Sequence, residues 1–98
     1  MKSFKEIINQ DKPVLVDFFA TWCGPCKTMG PILENVKKKL GESAVIIKID
    51  VDKNQKLASE LNISGVPTLI IYKNGKQVWR QSGVVDANTI QQKLISIK

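Results

Sequence analysis

The sequence predicts an α/β protein in which a mixed sheet of about four strands lies between two layers of helices. Short apolar runs recur along the chain and alternate with segments whose apolar residues have helical spacing. An Asn-Gly pair at residues 74–75 signals a hairpin, so the last strand should run antiparallel to its neighbour. With 98 residues and 43% hydrophobic content, the chain is expected to form one domain, residues 1–98.

The first half of the chain predicts a helix followed by a βαβ unit. Ser-Phe-Lys-Glu at residues 3–6 is a capping box that opens the short first helix. Val14–Phe19 has the apolar character of a central strand. A helix from about Cys23 to Leu40 ends before Gly41, and the strand Ala44–Ile49 completes the unit.

The second half predicts one more helix, a hairpin and a final helix. Helical spacing covers Gln55–Leu61, and a loop then leads into the strand Thr68–Tyr72. Lys76–Gln81 should return as an edge strand, with Trp79 packing beneath a helix. Asp86 is the expected N-cap of the last helix.

Composition excludes several classes of function. The net charge of +6 comes almost wholly from lysine, with Arg80 the only arginine, and no arginine cluster or stacking platform suggests a nucleic-acid partner. No apolar stretch approaches the roughly 20 residues that span a bilayer. The start of the chain lacks the apolar core of a signal peptide, so a cytoplasmic location without membrane partners is expected.

Cys23 and Cys26 are the only cysteines, and they flank a Gly-Pro pair at a predicted strand-to-helix junction. A structural disulfide closing so short a loop would contribute only about 2 kcal/mol. A structural zinc site needs about four ligands, and the chain has two cysteines and no histidine. A cysteine at a helix N-terminus favours the thiolate that exchanges disulfides. The pair therefore predicts redox chemistry.

With these motifs the chain resembles the thioredoxin family along nearly its whole length. Trp-Cys-Gly-Pro-Cys at residues 22–26 is that family's active-site motif. Further matches follow in the family's order: Val16–Phe18, Pro31, Lys48, Gly-Val-Pro-Thr at residues 65–68, and Gly83. The resemblance implies a thioredoxin fold, a three-layer α/β/α sandwich. It also implies a protein-disulfide reductase that works by dithiol–disulfide exchange.

Two features depart from the family's pattern. Thioredoxins usually begin with an extra strand, but here the first helix starts at about Ser3, so this N-terminal strand is expected to be absent. Ala44–Ile49 would then become a sheet edge, and a weak dimer through Val45–Ile49 remains an alternative to a monomer. Phe19 stands where many thioredoxins carry tryptophan, which should change packing beneath the site and leave the chemistry intact.

The resemblance implies a role for each residue that reacts. Cys23 would be the nucleophile and Cys26 the resolving cysteine. Asp17 would accept the proton of Cys26, because a carboxylate within a central strand loses hydration and its pKa should rise. Lys48 on the neighbouring strand would tune Asp17. Alternatively, Asp17 and Lys48 form a hydrogen-bonded pair with a purely structural role.

A second set of residues would receive the substrate. The resemblance implies that the peptide bond before Pro67 is cis, which would leave the backbone of Val66 free to pair with an extended client segment. In the family, the Gly-Pro dipeptide accompanies a reducing potential. The expected substrate-binding residues are Trp22, Gly24, Pro25, Gly65, Val66, Pro67 and Gly83.

The resemblance also implies the partners. No bound cofactor or metal is expected, since the Cys23–Cys26 disulfide carries the electrons. A thioredoxin reductase that uses NADPH and flavin would reduce the Cys23–Cys26 disulfide again after each turnover, and disulfide-bearing proteins would be the clients of this protein. The alternatives are an extracytoplasmic oxidase or isomerase, a binding module that uses its groove without turnover, and a bridging iron–sulfur cluster, which Pro25 disfavours.

Overall fold

The computed structural model describes residues 2–97, so Met1 and Lys98 of the expected domain lie outside the described residues. The predicted elements are confirmed, with ends shifted by one or two residues. Their bounds are α1 Phe4–Ile8, β1 Val14–Phe19, α2 Gly24–Leu40, a 3₁₀ turn Gly41–Ser43, β2 Val45–Asp50, α3 Gln55–Glu60, β3 Thr68–Lys73, β4 Lys76–Ser82 and α4 Ala87–Ser96. None of the helices within residues 2–97 has the length and apolarity needed to cross a membrane.

The strands form one mixed sheet of four in the order β2-β1-β3-β4. β1 runs parallel to β2 and antiparallel to β3, and β4 is antiparallel to β3. β2 and β4 are therefore the two edges, as predicted. Within residues 2–97 no strand precedes α1, so β2 has no outer neighbour.

Alternating residues of the central strands build one core on each face of the sheet. Leu15 and Leu69 pack with α2 and α4 in one core, which Trp79 also contacts. Val16 and Ile70 pack against α1 and α3 in the other. This arrangement follows from the period of two in a strand, and it confirms the three-layer sandwich.

The local signals that punctuate the chain are in place. Ser3 caps α1 through a capping box with Glu6, and Asp86 caps α4 by accepting the N–H of Thr89 at 3.2 Å. Asn74 and Gly75, with φ of 51° and 82°, form the tight turn between β3 and β4. The helix caps define where α1 and α4 begin, and the tight turn aligns β4 with β3.

The sheet topology places the turn after β1 and the segment before β3 at the same end of the sheet. Phe18 near the end of β1 lies opposite Thr68 at the start of β3, because the two strands are antiparallel. The turn after β1 leads into α2, where the N–H of Cys23 donates to the Ala20 carbonyl at 3.2 Å. The segment that precedes β3 therefore meets the cysteine turn.

Candidate active site

Cys23 and Cys26 are joined by a disulfide, and their Cα atoms lie 5.3 Å apart. Cys23 is the N-cap of α2, where its Sγ accepts the backbone N–H of Cys26 at 3.1 Å. Pro25 occupies the first turn, where a missing N–H costs no intrahelical bond. The N–H groups of this turn and the helix dipole favour negative charge at the cap. Once the pair is reduced, Cys23 is the sulfur placed to carry that charge.

Both cysteines are nearly enclosed. Cys23 is 4% exposed and Cys26 is 5% exposed, so the two residues do not differ in solvent exposure. They differ in position, because only Cys23 is the N-cap of α2. The two cysteines form a small buried cluster with Ala20, and the partly buried side chains of Phe19, Val51 and Val66 pack against it. Within residues 2–97 no three Cys, Asp or Glu side chains are grouped as a metal site.

Asp17 is fully buried on the face of β1 that carries Leu15 and packs beneath α2. Among residues 2–97, neither of its carboxylate oxygens has a hydrogen-bond partner. Burial raises the pKa of Asp17 to about 6, against a smaller opposing effect of the Lys48 charge. The predicted direction of the shift is confirmed. Its role in proton transfer stays a prediction.

Lys48 lies opposite Asp17 in the β1–β2 register. Its side chain is exposed, and its Nζ sits 4.9 Å from the centre of the Phe19 ring. The alternative of a hydrogen-bonded Asp17–Lys48 pair is wrong, because the long side chain leaves the edge strand and keeps its ammonium in water. The charge of Lys48 opposes the rise in the Asp17 pKa that burial causes. That Lys48 tunes the reactivity of Asp17 stays a prediction.

The segment before β3 lies beside the sulfurs. The Val66 carbonyl oxygen is 3.6 Å from Cys23 Sγ, and the Val66–Pro67 bond is cis, as predicted. The Pro67 carbonyl accepts the N–H of Gly83 at 2.8 Å, and Gly83 adopts a φ of 91° that favours glycine. Thr68 Oγ1 donates to the Gly65 carbonyl at 2.7 Å. Gly65, Val66, Pro67 and Gly83 are thus brought together next to Cys23.

Trp22 is 70% exposed and forms one wall of a shallow cleft that also includes Gly65 and Val66. Its indole N–H donates to Asp52 Oδ2 at 2.8 Å, which fixes the ring. Sequence reasoning missed Asp52, since no local pattern pairs two residues 30 positions apart. Gly24 and Pro25 are exposed at the start of α2. The cleft measures about 130 Å³, and its lining is Trp22, Val51, Ile63, Ser64, Gly65 and Val66.

Comparison with known proteins fits this geometry. The model of the thioredoxin family matches residues 1–96. This chain belongs to the thioredoxin family. Its cysteine pair is the redox-active disulfide of that family's thiol–disulfide oxidoreductases, and the disulfide is formed in the structure.

The relatives span several lineages. The chain is 47% identical over 95 residues to thioredoxin Y, chloroplastic, of rice (Oryza sativa subsp. japonica), covering 96% of this chain and 56% of that protein. It is 45% identical over 93 residues to a thioredoxin-like protein of Synechocystis, covering 94% of this chain and 89% of that protein. A mutant thioredoxin from Halobacterium salinarum superimposes with a TM-score of 0.85 at 35% identity, covering 99% of this chain and 87% of that one. The chain thus spans little more than half of the rice relative.

Proposed function

We propose that this protein reduces disulfide bonds of client proteins through Cys23 and Cys26. The observation that carries the proposal is the placement of Cys23 at the cap of α2, 3.6 Å from the Val66 carbonyl. That placement combines a sulfur whose thiolate the helix stabilises with a strip of backbone that an extended client segment can follow. A client bound along Val66 would therefore have its disulfide beside Cys23.

The first step is attack by the Cys23 thiolate on a client sulfur. The client S–S bond breaks, a mixed disulfide forms at Cys23, and the leaving client thiolate takes up a proton. Cys26 lies three residues further along the same helix turn. It then attacks Cys23 Sγ, which releases the second client thiolate and leaves the Cys23–Cys26 disulfide. Two electrons pass from the dithiol to the client.

Asp17 takes the proton of Cys26 before that second attack. Two features support this role: the carboxylate is buried on the side of the sheet that α2 covers, and its oxygens have no hydrogen-bond partner in the described part of the chain. A pKa of about 6 leaves Asp17 mostly ionised at neutral pH and able to accept a proton. Lys48 tunes Asp17 by favouring its charged form.

The client binds along Val66 and its surroundings. Within residues 2–97, the N–H of Val66 makes no hydrogen bond, so it is available to a client strand. The exposed indole of Trp22 provides an apolar wall beside it. The binding surface comprises Trp22, Gly24, Pro25, Gly65, Val66, Pro67 and Gly83.

A flavin-dependent thioredoxin reductase that uses NADPH is the proposed electron donor, and the cytoplasm is the proposed compartment. A reductase requires surroundings that keep thiols reduced, as the cytosol does. The rice relative is named as chloroplastic, which describes that protein. Recharging by purified reductase and NADPH tests the donor directly.

The protein is proposed to work as a monomer, with the weak dimer through Val45–Ile49 as the competing state. An exposed lysine, Lys48, projects from the middle of the β2 edge, and edge lysines discourage pairing between chains. Sedimentation at high concentration distinguishes the two states.

Insulin reduction tests the proposed function. The wild-type chain, supplied with dithiothreitol, should reduce insulin disulfides and precipitate the freed chains. The double variant Cys23→Ser, Cys26→Ser is the control, because it preserves the surface and removes both sulfurs. Insulin left intact by the wild type would contradict the proposal. Client capture by the double variant without turnover would favour the binding module.

A further inference from the structure

Arg80 holds the backbone at the end of α3. Its Nη1 donates to the Leu61 carbonyl at 2.6 Å and its Nη2 donates to the Asn62 carbonyl at 2.8 Å. The last carbonyls of a helix have no intrahelical donor, and the two parallel N–H groups of a guanidinium fit a pair of acceptors. A lysine ammonium is a point donor and cannot reproduce this fork.

The two carbonyls lie immediately before the segment that faces the sulfurs. We call residues 63–67 the Val66 loop. Asn62, directly before it, has a left-handed φ of 56°, where the chain turns out of α3. The N–H of Ile63 donates to the Ala58 carbonyl at 2.9 Å. The start of the Val66 loop is therefore set by the end of α3 and by Arg80.

The same edge strand, β4, also fixes the far end of the Val66 loop. The hydroxyls of Thr68 and Ser82 lie 3.1 Å apart. Gly83, next along the chain, donates its N–H to the Pro67 carbonyl at 2.8 Å. Between these two anchors the N–H of Val66 has no partner within residues 2–97. Strand β4 and the residue after it thus hold both ends of the loop and leave the client-facing amide open.

We propose that Arg80 is a positioning residue for client binding. Its two hydrogen bonds set the path of the Val66 loop, so that Val66 meets an extended client segment beside Cys23. This inference rests on the proposed function and names the residue that orients its client surface. Because the hydrogen bonds of Arg80 go to Leu61 and Asn62 and to neither cysteine, its loss should weaken client binding and leave the reactivity of Cys23 unchanged.

The competing explanation is that Arg80 only caps α3. A cap contributes stability, and its loss would lower the unfolding temperature without changing the KM for a client. The two roles therefore separate in a comparison of substrates. Insulin is a polypeptide whose backbone can pair with Val66 in the proposed manner, whereas the small molecule dipyridyl disulfide has no peptide segment and needs only access to sulfur.

The test compares Arg80→Ala and Arg80→Lys with wild type in the full chain. Lys76→Ala is the matched control, since Lys76 is an exposed cation of the same strand and is remote from the Val66 loop in sequence and pairing. Both Arg80 variants should raise the KM for insulin by about three- to tenfold, with kcat within about twofold. Their rate with dipyridyl disulfide and their reduction potential should match wild type, as should every property of Lys76→Ala.

An unchanged KM for insulin in Arg80→Ala, with the wild type active, contradicts this inference alone. Equal losses with insulin and dipyridyl disulfide contradict it too, since they place the effect at the sulfurs. If Arg80→Ala does not fold, Arg80→Lys provides the test. A wild-type KM for insulin in that variant would mean that a positive charge at residue 80 is enough for client binding, which contradicts a role for the two guanidinium hydrogen bonds. A wild-type chain that leaves insulin intact removes the proposed function and this inference with it.

Discussion

The N-terminal half of the protein, residues 14–50, differs from the C-terminal half, residues 63–96, in what it brings to the site. The first half carries the cysteine pair, Cys23 and Cys26 at the start of α2, and the proposed proton acceptor Asp17, buried beneath that helix. The second half contributes backbone: the open N–H of Val66 and the bond from Gly83 to Pro67. In the proposed function, the reacting side chains therefore lie in the first half and the client-binding backbone lies in the second.

We infer from this division that the redox chemistry and the recognition of clients can be altered separately. The reacting groups depend on burial and on the helix N-terminus, whose effects act on the sulfurs and on Asp17. The binding groups depend on loop geometry, which hydrogen bonds such as that between Thr68 and Gly65 fix. Changes to the reacting groups should therefore affect kcat, pH dependence and stability, while changes to the Val66 loop should affect KM.

The largest effect should come from the two cysteines taken singly. Cys23→Ser should lower insulin reduction by at least about a thousandfold, because a hydroxyl does not replace a thiolate in disulfide attack. Cys26→Ser should retain the attack and accumulate a mixed disulfide with the client, which non-reducing electrophoresis with mass spectrometry detects. Accumulation in Cys23→Ser in place of Cys26→Ser would reverse the assigned roles.

The buried carboxylate should produce the next largest effect, on stability. Asp17→Asn should raise the free energy of unfolding of the oxidised protein by about 2–3 kcal/mol at pH 8, since the pKa of Asp17 rises from 3.8 to about 6 and each unit corresponds to about 1.4 kcal/mol. Urea unfolding measures the difference. Glu34→Gln, an exposed carboxylate on α2, is the control and should change stability little.

The sign of the pH dependence follows from the raised pKa. The folded protein binds the Asp17 proton more tightly than the unfolded chain, so this group's stabilising contribution is present below about pH 4. It is lost as the pH rises towards the folded pKa of about 6. The wild type should lose stability across this window relative to Asp17→Asn. Parallel stability curves for the two proteins would show that Asp17 is not desolvated.

The smallest effect should come from the Val66 loop. Val66→Pro removes the open N–H of Val66 and should raise the KM for insulin by about three- to tenfold, because one backbone hydrogen bond to the client is lost. Val66→Ala keeps the N–H and is the matched control for the side chain. A change in kcat with dipyridyl disulfide in Val66→Pro would mean that the two halves are not separable.

Most of the fold could be predicted because its signals are local. The capping box at Ser3, the hairpin at Asn74 and the N-cap at Asp86 each occupy a few neighbouring residues, and each is present in the structure. The buried position of Asp17 followed from a polar residue within an apolar strand. The resemblance to thioredoxins supplied the cis bond before Pro67, which local sequence does not signal.

Long-range side-chain contacts could not be predicted. The bond from Trp22 to Asp52 and the bonds from Arg80 to Leu61 and Asn62 depend on how elements pack, which no local pattern records. The same limit explains the wrong alternative for Lys48: the sequence placed it on the strand beside Asp17, but only the structure shows that its side chain lies over the ring of Phe19.

The reduction potential of the Cys23–Cys26 pair, measured by equilibration against glutathione or dithiothreitol redox buffers, tests the central claim most directly. A protein-disulfide reductase should give a value near the −270 mV that characterises thioredoxins. At that potential the dithiol is a strong enough reductant to open client disulfides. A value above about −180 mV, in the range of isomerases and oxidants, would contradict the account and assign the pair to making or reshuffling disulfides.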